Sequence, residues 1–238
     1  MNNLNLRQVM AANGVHEAVL SSIWINCNDI SNFEILDAPC GNGPISELLA
    51  SKGAKVTGFD LEPPSSTDNG VKYIKKDLEI LEAINNSYDL IISVEGIEHL
   101  HNPHAWVTKI SKMLKPNGIA IITTPNPDSL SSRWKAFSRG YYQYFDLIPN
   151  RLDIFRGSGH IHPIYFSFLE WSFRVNGLEI IDIRTKSRKL PVWVSGFLYK
   201  IFYRRFPLEI KPLINGAVGI YTVRKNDRTK SANNFFNC

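Results

Sequence analysis

Glu95-Gly96-Ile97-Glu98-His99 places two carboxylates and an imidazole within five consecutive positions. If this segment turns helical, residues i, i+3 and i+4 share a face, so Glu95, Glu98 and His99 converge. Such a set suits a divalent metal, Mg²⁺, Mn²⁺ or Zn²⁺. A distal ligand is on offer in Gly157-Ser158-Gly159-His160-Ile161-His162-Pro163, and spacing does not choose between His160 and His162. Two other uses stay open. An acidic residue next to a His can simply cap a helix and orient its loop. Without a metal, His99, His160 and His162 are candidate catalytic imidazoles, because a group titrating near neutrality can take a hydroxyl proton.

A second set of residues recurs where short β-branched runs stop. Ile35-Leu36-Asp37-Ala38-Pro39-Cys40-Gly41-Asn42-Gly43 closes the first run, and Asp60, followed by Leu61, closes the second. Asp77-Leu78 follows the third and Glu95 ends the fourth. Glycines in the first loop let the backbone approach a ligand and turn sharply into a helix. A lone glycine turn is as readily structural, and any one carboxylate is more often a cap.

These residues need elements to hold them. Strands are expected over 34–38, 55–60, 71–77, 89–95 and 119–124, with helices at 45–53 and from His104 towards Lys115-Pro116-Asn117-Gly118, a helix stop and turn. A helix over about 166–176 ends at Gly177, and strands follow at 178–186 and 217–225. Apolar strands alternating with helices imply a parallel sheet covered on both faces. An N-terminal helix is expected within residues 1–33, from the recurrence of Val9, Ala12, Val15, Val19 and Ile23. Two inserts interrupt the pattern, a cap at about 126–164 and an apolar, basic segment at about 187–215. Ligands on open α/β sheets bind beyond the carboxyl ends of the strands, so an insert leaving that edge is a natural cap.

The run from Ile35 to Gly43 resembles motif I of the class I S-adenosylmethionine-dependent methyltransferases, and the order of elements from Glu34 to Gly177 matches theirs. The resemblance implies an α/β, Rossmann-like, seven-stranded sheet, mostly parallel with an antiparallel last strand, in a single domain over 1–238. It implies S-adenosylmethionine as cofactor, bound by Asp37, Pro39, Gly41, Asn42, Gly43, Asp60, Leu61, Asp77, Leu78 and Glu95. Asp37 would take the ammonium group, Asp60 the ribose hydroxyls, and Asp77-Leu78 with Glu95 the two walls around the adenine. Pro39 stands where the family usually has its first glycine, and proline supplies a fixed turn there. The Glu-x-x-Glu-His arrangement is similar to that of ubiquinone-biosynthesis O-methyltransferases and small-RNA 2′-O-methyltransferases. It implies a metal on Glu95, Glu98, His99 and His160 and transfer to a hydroxyl oxygen. Thr124-Pro125-Asn126 resembles the same group's pocket floor. The alternatives are N-transfer and a nicotinamide dinucleotide-binding protein. The second lacks its fingerprint, because Pro44, Ile45 and Ser46 follow Gly43 where G-x-G-x-x-G needs a third glycine.

Composition narrows the partners. Of the 238 residues, 44% are hydrophobic and 21% charged, an ordinary balance for a globular chain. No apolar run approaches the ~18 residues of a bilayer span. Three widely spaced cysteines and the absence of a basic-then-apolar leader point to the cytoplasm. Residues 1–128 carry 9 Lys and Arg against 15 Asp and Glu, whereas 129–238 carry 18 against 7. A basic second half suggests an anionic partner. Basic and aromatic residues mix in the cap (Arg133, Trp134, Lys135, Phe137, Tyr141, Tyr142, Tyr144), which suits a phosphorylated or saccharide acceptor. The segment 187–215 has the pattern of a contact with an anionic membrane face, peripheral to its inner side, or of a homodimer contact. A small molecule, saccharide, lipid-linked intermediate or quinone-type phenol is the expected acceptor. Nucleic acid is less favoured, as no RNA-binding module accompanies the domain.

Overall fold

Seven apolar runs pair into one sheet, and the helices between them cover its two faces. The computed structural model describes residues 14–65, 70–145, 159–187, 213–214 and 216–226. In chain order the elements are α1 (Val15–Asn26), β1 (Glu34–Asp37), α2 (Pro44–Ala50), β2 (Lys55–Asp60), β3 (Lys72–Lys75) and β4 (Tyr88–Val94). After a 3-10 turn at Ile97–His99 come α3 (Pro103–Met113), β5 (Leu114–Pro125), α4 (Leu130–Arg139), α5 (Phe166–Val175), β6 (Leu178–Ser187) and β7 (Gly216–Lys225). The strand order is β3-β2-β1-β4-β5-β7-β6. Every neighbouring pair is parallel except the two made by β7, which runs antiparallel to both β5 and β6. This is the mostly parallel sheet expected. An antiparallel strand between the fifth and sixth also departs from the dinucleotide-binding order 3-2-1-4-5-6.

Alternation along the strands divides the core in two. Leu36, Ile91 and Ile122 face α3 and α5, where Trp106, Val107, Ile110, Leu169 and Phe173 close over them. Ile35, Leu90, Ile92 and Ile121 face α1 and α2, meeting Val15, Val19, Ile23, Ile45 and Leu49. Side chains of period two on strands and 3.6 on helices make these faces inevitable once the pairing is set. Strand order reverses at β1, from which the chain leads outward to β2 while β4 is the neighbour on the other side. The loops after β1 and β4 therefore meet at the switch point of the sheet, the position at which open α/β sheets form a ligand crevice.

Several boundaries differ from the expected ones for local reasons. The N-terminal helix, among the described residues, occupies only 15–26. Beyond it Asp29 accepts hydrogen bonds from the Ser31 amide and hydroxyl (2.8 and 2.6 Å), and Asn32 is left-handed (φ 67°), so the chain turns before β1. Strand β5 starts at Leu114, not at Ile119. Tyr88 pairs with Leu114 and Leu90 with Ile119, so Lys115-Pro116-Asn117-Gly118 bulges outward opposite Asp89. The turn signal was real, but it sits inside a strand. At α3, Asn102 caps the helix by accepting from Ala105 N–H (2.9 Å), with Pro103 in the first turn.

Of the two inserts, the cap contributes α4, while 146–158 lies outside the described residues. The apolar, basic segment at 187–215, and with it the membrane or dimer contact read from it, lies almost wholly outside them too. No helix among the described residues is long and apolar enough to cross a membrane.

One side chain fastens the end of β5 to the start of β7. Asn126, 3% exposed, donates from Nδ2 to the carbonyls of Leu213 (2.6 Å) and Gly216 (2.8 Å), and its N–H donates to Ala217 O (3.0 Å). Asn126→Ala strands two carbonyls and should cost about 2–4 kcal/mol. Urea unfolding is expected to show a lower midpoint at unchanged slope. An unchanged midpoint would show that water replaces the amide without loss.

Candidate functional site

The loop after β1 is built by contacts that the sequence only hinted at. The Ala38–Pro39 peptide is cis, and Gly41 and Gly43 are left-handed (φ 51° and 78°). Cys40 N–H donates to Phe59 O (2.9 Å) and Gly43 N–H to Cys40 O (2.9 Å), tying the loop to β2 and to itself. Gly43 has no alternative. It is left-handed, and a Cβ there would collide with the Tyr73 hydroxyl, which reaches from β3 to donate to Gly43 O (3.3 Å). On the other side, the Pro39 ring lies against Gly96 so closely that a Cβ at Gly96 would overlap it. Pro39 thus packs the loop after β1 against the loop after β4.

Carboxylates ring this loop. Asp37, 2% exposed at the end of β1, accepts from Ser46 Oγ (2.7 Å). Burial pushes its carboxyl up to about 7, the Ser46 hydrogen bond opposes the shift, and the Asp60 charge adds to it. Asp60 accepts from Gly41 N–H on Oδ2 (2.9 Å) and from Glu62 N–H on Oδ1 (3.0 Å), leaving each oxygen a further lone pair. Asp77 Oδ1 accepts from Glu79 N–H (2.9 Å). Leu61 is exposed, whereas the Leu78 side chain is part of the core. Asn42 lies at the exposed tip of the loop. Burial, with Asp37 and Asp60 nearby, pushes the Cys40 thiol up, which keeps it protonated and no nucleophile.

The loop after β4 presents a denser group. Glu98, His99 and His160 each offer a ligand atom, and these atoms lie within 4.8 Å of one another. Glu98 is fully buried, yet neither carboxylate oxygen has a hydrogen-bond partner among the described residues. Its carbonyl is well used, accepting from the N–H groups of Ile161 (2.9 Å) and His162 (3.2 Å), so the strap at 159–162 is laid directly on the motif. His99 Nδ1 is 3.0 Å from Gly159 O, and His160 Nδ1 is 3.0 Å from Tyr144 O. A carbonyl only accepts, so both Nδ1 atoms carry the proton and both Nε2 atoms keep a lone pair. His160 Nε2 is 3.8 Å from Glu98 Oε1, and the two rings meet edge-on at 4.8 Å. Burial pushes Glu98 up to about 8, and the Glu95 charge adds to it. Its backbone and the Thr124 hydroxyl ease the shift, although Thr124 closes no hydrogen bond with it. Burial, then the His99 ring, lowers His160, while Tyr144 O opposes them.

One expected ligand, Glu95, is absent from the group, and of the two distal histidines one joins it. Glu95 is outside the group, because its left-handed backbone (φ 45°) ends β4 and the helical turn begins only at Ile97. Glu95 N–H is held instead by the Thr123 hydroxyl (3.0 Å). Of the two distal histidines, the structure brings His160 into the group, and His162 contributes a backbone N–H only.

The family model described as a methyltransferase domain matches residues 11–183. The chain belongs to the methyltransferase domain family. A curated relative, the ubiquinone biosynthesis O-methyltransferase of Rickettsia canadensis (strain McKiel), is 40% identical over 119 residues, 46% of this chain and 50% of the relative. The chain thus spans about half the length of that relative. Among solved structures, an S-adenosylmethionine-dependent methyltransferase from Mesorhizobium loti superposes with a TM-score of 0.57 at 14% identity, covering 87% of this chain and 98% of the other. Another from Archaeoglobus fulgidus gives 0.57 at 18% identity, over 88% and 94%. At such identities these two show the fold alone.

Ser46, Tyr73 and Thr123 were not singled out in the sequence, and neither were the carbonyls of Tyr144 and Gly159. Backbone acceptors carry no residue-type signal. Tyr73 was detectable only through the two glycines it excludes a side chain from, Gly43 and Gly58.

The Glu98 carboxyl makes stability depend on pH. Its ordinary value is 4.5 and its folded value about 8, so the native state binds the extra proton between them, and stability is lost as pH rises from about 4.5 to about 8. Glu98→Gln removes that loss. With chelator present, the variant's melting temperature should gain on the parent from pH 5 to pH 8 and run level above. A constant difference across this range would mean that Glu98 ionises normally in the fold.

Proposed function

We propose that the protein transfers the methyl group of S-adenosylmethionine to a hydroxyl oxygen of a small-molecule acceptor, with a divalent cation held by Glu98, His99 and His160. One observation carries the reading. Glu98 is a buried carboxylate with no hydrogen bond on either oxygen, beside two imidazoles whose protons are parked on backbone carbonyls. Hydrogen-bonding the far ring nitrogen to a carbonyl is how proteins orient histidine ligands. An unpaired buried carboxylate is expensive, and a cation removes the expense. The donor set of one carboxylate and two imidazoles fits Mn²⁺ or Zn²⁺ better than the harder Mg²⁺.

The donor lies in the crevice between the loops after β1 and β4. Asp37 faces its ammonium group, and that positive charge returns the carboxyl to its ionised form. The Pro39–Gly43 loop follows the amino-acid end. Asp60 accepts the ribose hydroxyls on its remaining lone pairs, and the backbone of Asp77-Leu78 with Glu95 flanks the adenine. The acceptor hydroxyl oxygen attacks the sulfonium methyl in line. The new C–O bond forms as the C–S bond breaks, the bonding pair stays on sulfur, S-adenosylhomocysteine leaves, and the hydroxyl proton passes to solvent water. A cation at Glu98, His99 and His160 supplies Lewis acidity, lowering the pKa of a bound hydroxyl. Holding the two reactants in line supplies much of the remaining rate. The name of the curated relative, a ubiquinone biosynthesis O-methyltransferase, favours a quinone-type phenol as the acceptor. A metal-free route would use His160 as base, since the Tyr144 carbonyl holds the Nδ1 proton and leaves Nε2 to accept.

The test is to incubate the protein and a cell extract with methyl-deuterated S-adenosylmethionine, then identify labelled products by mass spectrometry with and without chelator. An O-methylated product that disappears with chelator and returns with Mn²⁺ is expected. A label on nitrogen contradicts oxygen transfer, and chelator-insensitive turnover contradicts the cation and leaves His160 as the base that takes the hydroxyl proton.

A further inference from the structure

The segment after β3 has little to hold it. Strand β3 is four residues long and forms the edge of the sheet, paired with β2 on one side only. Lys76 N–H donates to Asp60 O (2.8 Å), and Leu78 and Leu81 pack into the core, but the carbonyls of residues 78 and 79 have no strand to accept from. A single side chain from another element satisfies both. Lys109, half-buried on α3, donates from Nζ to Leu78 O (2.8 Å) and to Glu79 O (2.6 Å). The Glu79 carboxylate in turn accepts the backbone N–H of His101 and lies 3.2 Å from His101 Nδ1. His101 stands two positions beyond His99, on the turn that leads into α3.

We infer that Lys109 is a positioning residue for the methyl donor's adenine, fixing the backbone of residues 77–79 and tying it to the helix that follows the Glu98–His99 turn. This rests on the reading of Asp77-Leu78 as an adenine wall. Asp77 Oδ1 is committed to Glu79 N–H, so the conformation of residue 79 sets the orientation of the Asp77 carboxylate. A charged donor shared between two successive carbonyls defines that conformation in a way that water, which is free to move, does not. The His101–Glu79 contact is solvent-exposed on the histidine side and contributes less. The helix that holds residues 78 and 79 through Lys109 is thus the one that follows the Glu98–His99 turn in the chain.

Lys109→Met keeps the aliphatic stem and removes the donors. Calorimetry on the full chain should show S-adenosylhomocysteine bound about tenfold more weakly, the size expected for losing charge-assisted hydrogen bonds to the loop. Adenosine, which meets only the adenine and ribose contacts, should weaken by the same factor. Lys109→Arg, whose guanidinium offers several donors, should recover most of the affinity for both. Parent-like affinity in Lys109→Met overturns the inference while leaving the methyltransferase reading intact, and so does a loss confined to S-adenosylhomocysteine with adenosine unaffected. A parent protein that binds neither ligand overturns the reading and this inference together. If Lys109→Met does not fold, Glu79→Gln tests the same wall through its weaker tie. A two- to threefold loss for both ligands is expected, and no loss for either counts against it.

Discussion

A carboxylate cannot be removed from water without a counter-charge or a proton, and the arrangement after β4 is organised around that constraint. Glu98 is buried and has no hydrogen bond on its side chain among the described residues, yet the backbone and imidazole groups around it are ordered by hydrogen bonds of their own. Its carbonyl is used to dock the strap at 159–162, which delivers His160. The strap's own Gly159 carbonyl sets the tautomer of His99, and the Tyr144 carbonyl sets that of His160. Without a cation the group is held as a protonated acid beside a neutral imidazole. With one, the same atoms become three ligands, and the expense of burying Glu98 disappears.

The rest of the fold sets this group beside the glycine loop after β1. Parallel pairing of β1 with both β2 and β4 puts the glycine loop and the Glu98 turn side by side. Pro39 packed on Gly96 sets their separation, and Tyr73 behind Gly43 stiffens the loop from the opposite side. Asp37 and Glu98 are then two buried carboxyls, one at the end of β1 and one on the turn after the neighbouring β4, each raised by desolvation, and in the proposed reading the donor's ammonium would answer one and a metal ion the other. Asp37, Asp60 and Glu98 stand at strand ends and on a short turn, whereas His160 and the carbonyls of Tyr144 and Gly159 come from the segment between α4 and α5.

Much of this was legible in the sequence because it is written in residue types and periods. Apolar runs of period two located the strands, the Asp37–Gly43 run located the loop, and a Glu-Glu-His spacing with two distal histidines located the candidate ligands. What was not legible is written in backbone geometry. Helical spacing placed Glu95 beside Glu98, but a left-handed residue at the strand end breaks the helix before it starts. The choice of His160 over His162 depends on which ring the strap turns inward, and both lie equally near in sequence. Lys115 to Gly118 read as a turn that ends a helix, and only pairing with β4 shows it to be a bulge within β5. Lys109 looked like any surface lysine on an amphipathic helix, since its partners are two carbonyls.

The claim on which the account turns is that Glu98, His99 and His160 together hold a divalent cation. Anomalous diffraction from crystals grown with Mn²⁺ and S-adenosylhomocysteine tests it most directly. One strong peak is expected within bonding distance of a Glu98 oxygen and of Nε2 on both His99 and His160. A map with no peak there, while Glu98 keeps its buried place and the donor occupies the crevice, would contradict it.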